Sequence, residues 1–316
     1  MLHSDVTLAD IQAARERIRS YVHRTPLVTS RTLSRHLGSH VHLKLEIFQR
    51  TGSFKPRGAF NKLLSLDGRP GGVVAVSGGN HAQAVAHAAS TLGRRAVILM
   101  PSSTPSNYVE ATRGYGAEVA LTADVHEAFA RVADFERQGY ASVHPFDDPL
   151  VVAGQGTMGL EILEDAPPVT DVIASIGGGG MIAGVAIAIK ALRPEVRIWG
   201  VETEGADAMA QALAEGRIVE LPAITSIART LGAPAVSEFT LDSARRYLES
   251  VTVVPDAEAV DAMKFLLERA KILTEPAAAC TLAAARRLRH RFTPDSHVVL
   301  LLCGGNVAVA DLCRFG

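Results

Sequence analysis

Two kinds of residue in this sequence could do covalent or anion-binding chemistry, and in both cases the neighbours single them out. The first is lysine. Of the 32 basic residues, 26 are arginine and six are lysine: Lys44, Lys55, Lys62, Lys190, Lys264 and Lys271. A guanidinium does not form an imine, so covalent amine chemistry would have to use one of the six. Lys62, Lys190 and Lys264 fall in helical stretches, where a solvated face is the ordinary explanation, and Lys44 alternates within a strand. Lys55 stands apart in Thr51-Gly52-Ser53-Phe54-Lys55-Pro56-Arg57-Gly58, a polar, glycine-flanked loop that can open a helix near Pro56. On the residues alone, an exposed structural lysine would account for that loop as well.

The second kind is glycine at strand ends. Gly78-Gly79, Gly177 to Gly180 and Gly304-Gly305 each follow an apolar run. In open parallel sheets, ligands bind beyond the carboxyl ends of strands, where glycine lets the backbone approach closely. Any single pair also reads as a turn. Four glycines opening a helix are more telling, because N–H groups unobstructed by side chains make a cradle for an anion such as phosphate. No Gly-Lys-Ser/Thr follows, so the run is not a P-loop. Gly178-x-Gly180-x-x-Ala183, with a strand next and Glu202 at its end, also matches a dinucleotide fingerprint, which keeps a nicotinamide-dependent oxidoreductase open at this point.

These loops need strands and helices to hold them, and the pattern from Val73 onward supplies both. Strands are expected at 73–76, 95–100, 117–121 and 141–143, and again at 171–176, 197–201 and 298–302. Helices are expected at about 82–92, 106–114 with Ser106 as cap, 124–138 with a cap at its start, 181–192, 207–215, after Asp256 as N-cap, and 276–291. Val125, Phe129, Val132 and Phe135 fall on one face of their helix. Alternating strands and helices mark an α/β fold with open, mostly parallel sheets flanked by helices. Residues 172–189 are uncharged for long enough to suggest a membrane span, but the four glycines argue for strand, loop and helix instead.

Composition narrows the ligand. The chain has 316 residues, 47% hydrophobic and 21% charged, with a formal net charge of −1. Apolar content this high rules out disorder, and a balanced charge gives no electrostatic reason to expect nucleic acid or an anionic membrane, so a small molecule is expected. Cys280, Cys303 and Cys313 are odd in number and form no CxxC pair, and the N-terminus lacks the apolar core of a signal peptide. Both features fit a reducing, cytoplasmic compartment.

The run SFKPRGAFNK, with Thr-Gly before it, resembles the imine-forming lysine segment of fold-type II pyridoxal-phosphate enzymes, in the branch of serine/threonine dehydratases (ammonia-lyases) and serine racemases. The resemblance continues through Arg24-Thr25-Pro26-Leu27, Ser77-Gly78-Gly79-Asn80-His81, Gly177 to Met181, Glu275-Pro276 and Cys303-Gly304-Gly305-Asn306, in order and across essentially the whole chain. It implies a large lobe from residues 1–69 and 147–316 and a small lobe from 70–146, with pyridoxal phosphate in the cleft between them.

By that resemblance Lys55 holds the cofactor and then takes the α-proton, a role that requires burial or nearby positive charge to lower its pKa. Phe54 lies against the cofactor ring, Asn80 donates to the ring hydroxyl, and Gly177, Gly178, Gly179, Gly180 and the Met181 backbone cradle the phosphate. Ser77, Asn80 and His81 hold the substrate carboxylate. Cys303 faces the pyridine nitrogen, where a thiol leaves the ring a weaker electron sink than a carboxylate would, which favours prompt loss of a β-group. The racemases of this branch carry a second serine where this chain has Gly78, so racemisation is expected to be minor. Glu202 and Ala206 match two positions of the branch's cation site, but the third falls on Ala208 with Asp207 one place off. A divalent cation therefore lacks a complete ligand set. The activity implied is β-elimination of a 3-hydroxy amino acid such as threonine or serine to a 2-oxo acid and ammonia. A racemase, a β-replacement synthase and an amino-acid sensor are the rivals. A homo-oligomer, dimer or tetramer, is implied too, without the C-terminal regulatory domain of longer relatives.

Overall fold

The computed structural model describes residues 6–66, 68, 71–166 and 168–314. The expected lobe boundary at 69 and 70 lies outside the described residues. Among the described residues ten strands form two sheets. They are β1 (Leu27–Thr29), β2 (His40–Leu45), β3 (Val73–Val76), β4 (Ala96–Pro101), β5 (Glu118–Thr122), β6 (Ala141–Ser142), β7 (Asp171–Ser175), β8 (Arg197–Thr203), β9 (Leu248–Val254) and β10 (His297–Leu302). The larger sheet has the order β1-β2-β10-β7-β8-β9 and the smaller β5-β4-β3-β6. β1 pairs with β2 antiparallel, and the other pairings are parallel.

Helices cover both faces of the larger sheet, and the strand sequences show why. Along β10, Val298, Leu300 and Leu302 join one core while Val299 and Leu301 join the core on the other face. With both faces dry, the strand reads as an unbroken apolar run rather than an alternation. Residues 172–189 resolve as strand, glycine turn and the helix Gly180–Leu192. Among the described residues no helix is long and apolar enough to cross a membrane.

Local chemistry sets the helix starts, with three departures from the sequence expectation. Asp124 caps the helix Val125–Arg137 by accepting from Glu127 N–H, as expected. Ser106 and Asp256, however, are the first helical residues, because Pro105 and Pro255 occupy the caps. The Asp256 carboxylate instead accepts from the Ser226 hydroxyl and Ile227 N–H. Phe129 was expected in the core with Val125, Val132 and Phe135. Those three pack under the smaller sheet, whereas Phe129 is 40% exposed and lies near the His144 ring at a centroid distance of 5.9 Å.

The β2–β10 pairing carries an acid-sensitive feature. It sets His40 opposite His297, with rings stacked at 4.4 Å, and His42 Nε2 lies 3.1 Å from His297 Nδ1. Burial lowers the His42 pKa below 6.5, and His297 and His40 lower it further. Burial and His40 likewise lower that of His297, against the opposing pull of Asp295. A folded-state pKa below the unfolded value means this contribution to stability is present above about pH 6.5 and is lost as the pH falls through the folded value. Thermal melts from pH 7 to pH 5 should show a falling midpoint, with a flatter dependence in His42→Phe. Each histidine can add at most about 1.4 kcal/mol per pH unit, and identical slopes in the two proteins would refute the assignment.

Candidate active site

Lys55 ends a segment stitched to the carboxyl end of β10. Phe54 N–H donates to Cys303 O at 3.0 Å, Gly305 N–H donates to Gly52 O at 2.9 Å, and Ser53 bridges Gly304. Pro56 and Arg57 then start the helix Pro56–Leu64, which leaves Lys55 at its N-cap position. Thr51 adopts φ 62° and ψ 13°, a left-handed conformation that costs a β-branched residue on the order of 1 kcal/mol. Asn306 Nδ2–H holds it there by donating to Thr51 O at 2.7 Å. The half-buried Lys55 ammonium donates to Pro145 O at 3.0 Å and lies 5.0 Å from the Phe54 ring centroid. Loss of hydration in the cleft lowers its pKa to about 8, opposed by Cys303 and Glu275.

Beneath this loop lies a charge cluster. Arg57, expected only as part of the loop motif, is fully buried. Its Nε and one Nη donate to the two Glu46 oxygens at 2.9 and 2.8 Å, and its Nη atoms donate to the Glu161 oxygens at 2.7 and 2.9 Å. Lys44 Nζ completes the group, 2.5 Å from Glu161 and 2.8 Å from Thr25 O. The strand reading of Lys44 is right, and the residue is 0% exposed, because Glu161 on the helix Pro149–Asp165 reaches the same layer. Burial opposes the Arg57 charge, but Glu46 and Glu161 outweigh it and raise its pKa.

Four loops meet around Lys55. At the carboxyl end of β3, Ser77 Oγ accepts from Gly79 N–H at 3.1 Å, and Asn80 and His81 open the helix Asn80–Thr91, which has no side-chain cap. His81 Nε2–H donates to Val143 O at 2.9 Å, leaving Nδ1 buried without a partner. Burial and the Lys55 charge push the His81 pKa down to about 3, so the ring is neutral. Asn80 Nδ2 lies 2.9 and 3.2 Å from the two Glu275 oxygens, and Thr230 Oγ1–H donates to Glu275 at 2.9 Å. Burial raises Glu275 to about 7 against the pull of these hydrogen bonds and of Lys55. Cys303, beside Phe54 in one core cluster, has its Sγ 3.4 Å from Ser175 Oγ. Burial and Glu275 raise its pKa to about 12, so it stays a thiol.

The glycine turn follows β7. Gly179 has φ +91°, a conformation that favours glycine, and the helix that starts at Gly180 and Met181 has no side-chain cap. A Cβ at Gly178 would fall 2.1 Å from the Phe146 ring, and one at Gly177 would meet Leu231 O at 3.1 Å. The run of four glycines thus answers to close protein neighbours as well as leaving backbone N–H groups bare at a helix start.

Glu202 and Ala206 lie together at the end of β8, where Ala206 N–H donates to Thr203 O. The Glu202 carboxylate accepts from Met209 and Ala210 N–H at 3.0 and 2.8 Å, capping the helix Ala208–Glu215, and burial raises its pKa to about 8. Among the described residues no three His, Cys, Asp or Glu side chains are grouped to hold a metal ion.

Glu275 and Asn306 were legible only as parts of motifs, without roles, and Thr230 was not singled out at all. The available signal for the buried ions was placement: Lys44 lies inside HVHLKL, and Glu161 inside the apolar stretch Met158 to Leu163.

Known proteins resemble this chain in sequence and fold. The model of the pyridoxal-phosphate dependent enzyme family matches residues 18–304. The chain is 44% identical over 307 residues to an L-threonine ammonia-lyase of Geobacter sulfurreducens, covering 96% of this chain and 76% of that protein. It is 41% identical over 315 residues to an L-threonine ammonia-lyase of Thermotoga maritima, covering 98% and 78%. The structure of maize serine racemase superposes with a TM-score of 0.93 at 36% identity, covering 98% of this chain and 97% of that one. A family match that spans both sheets, from residue 18 to residue 304, leaves one assignment: the chain belongs to the pyridoxal-phosphate dependent enzymes.

Proposed function

We propose that the protein is an ammonia-lyase that eliminates water from a 3-hydroxy amino acid such as L-threonine or L-serine, releasing a 2-oxo acid and ammonia. The observation that carries this reading is one amine of lowered basicity, Lys55, whose charge is felt by Cys303, Glu275 and His81, in a chain that offers no side-chain acid at Gly78. The similarity to L-threonine ammonia-lyases over nearly the whole chain supports it.

The residues fit the cofactor. Lys55 has a pKa of about 8, the helix start at Gly180 lacks a cap, and the Thr51 and Ser53 hydroxyls are buried without partners beside Phe54. When bound, pyridoxal phosphate supplies an aldehyde that captures an amine and a conjugated ring that accepts the electron pair left by a departing α-proton. In this reading the backbone N–H groups of Gly177 to Met181 bind the phosphate, Phe54 walls the ring and Asn80 donates to its hydroxyl. Cys303 stays protonated and lends the ring nitrogen no charge.

Lys55 Nζ takes the proton from the substrate α-carbon, the β-carbon–oxygen bond breaks, and hydroxide leaves as water once protonated. The unsaturated amine that is released then hydrolyses to the 2-oxo acid and ammonia. Ser77, Asn80 and the backbone N–H of His81 bind the substrate carboxylate at the start of the helix Asn80–Thr91, and the low basicity of the His81 ring, whose Nε2–H is on Val143 O, keeps it from taking the proton. The substrate enters between the lobe of residues 70–146 and the remainder.

The likeness to maize serine racemase makes racemisation the second reading. A racemase needs a proton donor on each face of the α-carbon. Gly78 offers none, and a Cβ there would stand 2.7 Å from Thr104 Oγ1. Purified protein loaded with pyridoxal phosphate should form 2-oxobutanoate from L-threonine and pyruvate from L-serine, with little D-serine. A protein that forms D-serine faster than pyruvate is a racemase, and one that takes up no cofactor refutes both readings.

A further inference from the structure

Asn306 sits where four segments meet. An amide nitrogen carries two N–H donors, and both are used: one on Thr51 O at 2.7 Å, the other on Asn80 Oδ1 at 2.8 Å. Its backbone N–H donates to Glu275, and its backbone O accepts from the Tyr108 hydroxyl at 2.8 Å. Its Oδ1 fills the space beside Gly52, where a Cβ would stand 2.5 Å away.

This placement decides which way the Asn80 amide points. With Oδ1 accepting from Asn306, Nδ2 must face Glu275, where two carboxylate oxygens receive it. The flipped amide would set Oδ1 against that carboxylate and Nδ2 against the Asn306 donor, two repulsive contacts in a buried site. The same side chain holds the left-handed Thr51, four residues ahead of Lys55.

We propose that Asn306 is a positioning residue for the cofactor site, fixing the Asn80 amide through Asn80 Oδ1 and the Lys55 loop through Thr51 O. This rests on Lys55 and Asn80 holding pyridoxal phosphate, and it is independent of which amino acid is consumed.

A double-mutant cycle tests it, with the dissociation constant of pyridoxal phosphate read by absorbance titration of the cofactor-free full chain. Asn306→Ala should weaken binding about tenfold in the wild-type background, as expected for two lost hydrogen bonds. In an Asn80→Ala background the loss should be at least about threefold smaller, because residues that act as a unit are not additive. Asn306→Asp, which keeps the volume but turns a donor into an acceptor, should bind more weakly than Asn306→Ala. Equal losses in both backgrounds, or wild-type affinity in Asn306→Asp, would overturn the proposal. If Asn306→Ala loses its cooperative melt, Asn306→Ser is read by the same criteria. Wild-type protein that binds no pyridoxal phosphate would overturn the cofactor reading itself.

Discussion

Lys55→Ala is expected to abolish the visible absorption of the cofactor-loaded protein and to lower turnover by about 10⁴-fold or more, since covalent capture and proton transfer are lost together. Alanine cannot hold the cofactor covalently, and none of the other lysines can stand in. Lys44 is buried against Glu161, Lys62 pairs with Asp148, Lys190 and Lys271 donate to Pro194 O and Glu268 O on the surface, and Lys264 is exposed. The fold should tolerate the change. Lys55 makes one hydrogen bond, to Pro145 O, and removing a desolvated ammonium relieves a cost. The melting temperature of the variant should therefore stay within a few degrees of wild type. In wild type, capture needs the neutral amine, so the rate at which cofactor-free protein takes up pyridoxal phosphate should rise with pH and level off above about 8. A Lys55→Ala protein that keeps a hundredth or more of the turnover would refute the assignment.

Arg57→Met should cause the largest loss of stability, about 3–5 kcal/mol, because it strands two carboxylates that lie in the protein interior. Glu46 is 0% and Glu161 6% exposed, and each takes two hydrogen bonds from Arg57. Lys44 can still serve Glu161, so Glu46 bears most of the penalty, with Thr25 as its remaining partner at 2.5 Å. Arg57→Lys keeps the charge but not the planar fork and should fall between the two. Chemical denaturation measures the difference directly. An Arg57→Met protein within about 1 kcal/mol of wild type would show that the cluster is not a closed ionic unit. The same loss should loosen the first turn of the helix that carries Lys55 at its start, so cofactor affinity should fall along with stability.

Much of the site was legible because its parts are local. A lysine before Pro56, four glycines before an apolar helix and a thiol before two glycines are each specified within a few residues, where turn and helix-start chemistry act. Two sheets built from alternating strands and helices were legible for the same reason, since hydrophobic period reports the faces that must be buried. The elements that escaped lack this signal. β9 is a sheet edge with a mixture of exposed and half-buried residues, so it shows no clean period. Phe129 has the right spacing for the core, but its neighbours stop short of it.

By itself, the sequence determined the α/β class, because propensity, turn residues and hydrophobic period are properties of neighbouring positions, and its motifs carried the resemblance that implied the cofactor and pointed to Lys55. Tertiary structure alone decided which charges are buried and which polar groups meet. Lys44 and Glu161 are 117 positions apart and Asn80 and Asn306 are 226 apart, yet each pair shares a hydrogen bond at 2.5 and 2.8 Å. Nothing local in the chain distinguishes a lysine that faces water from one that faces a carboxylate on a distant helix. Only packing removes the water and makes the partner obligatory.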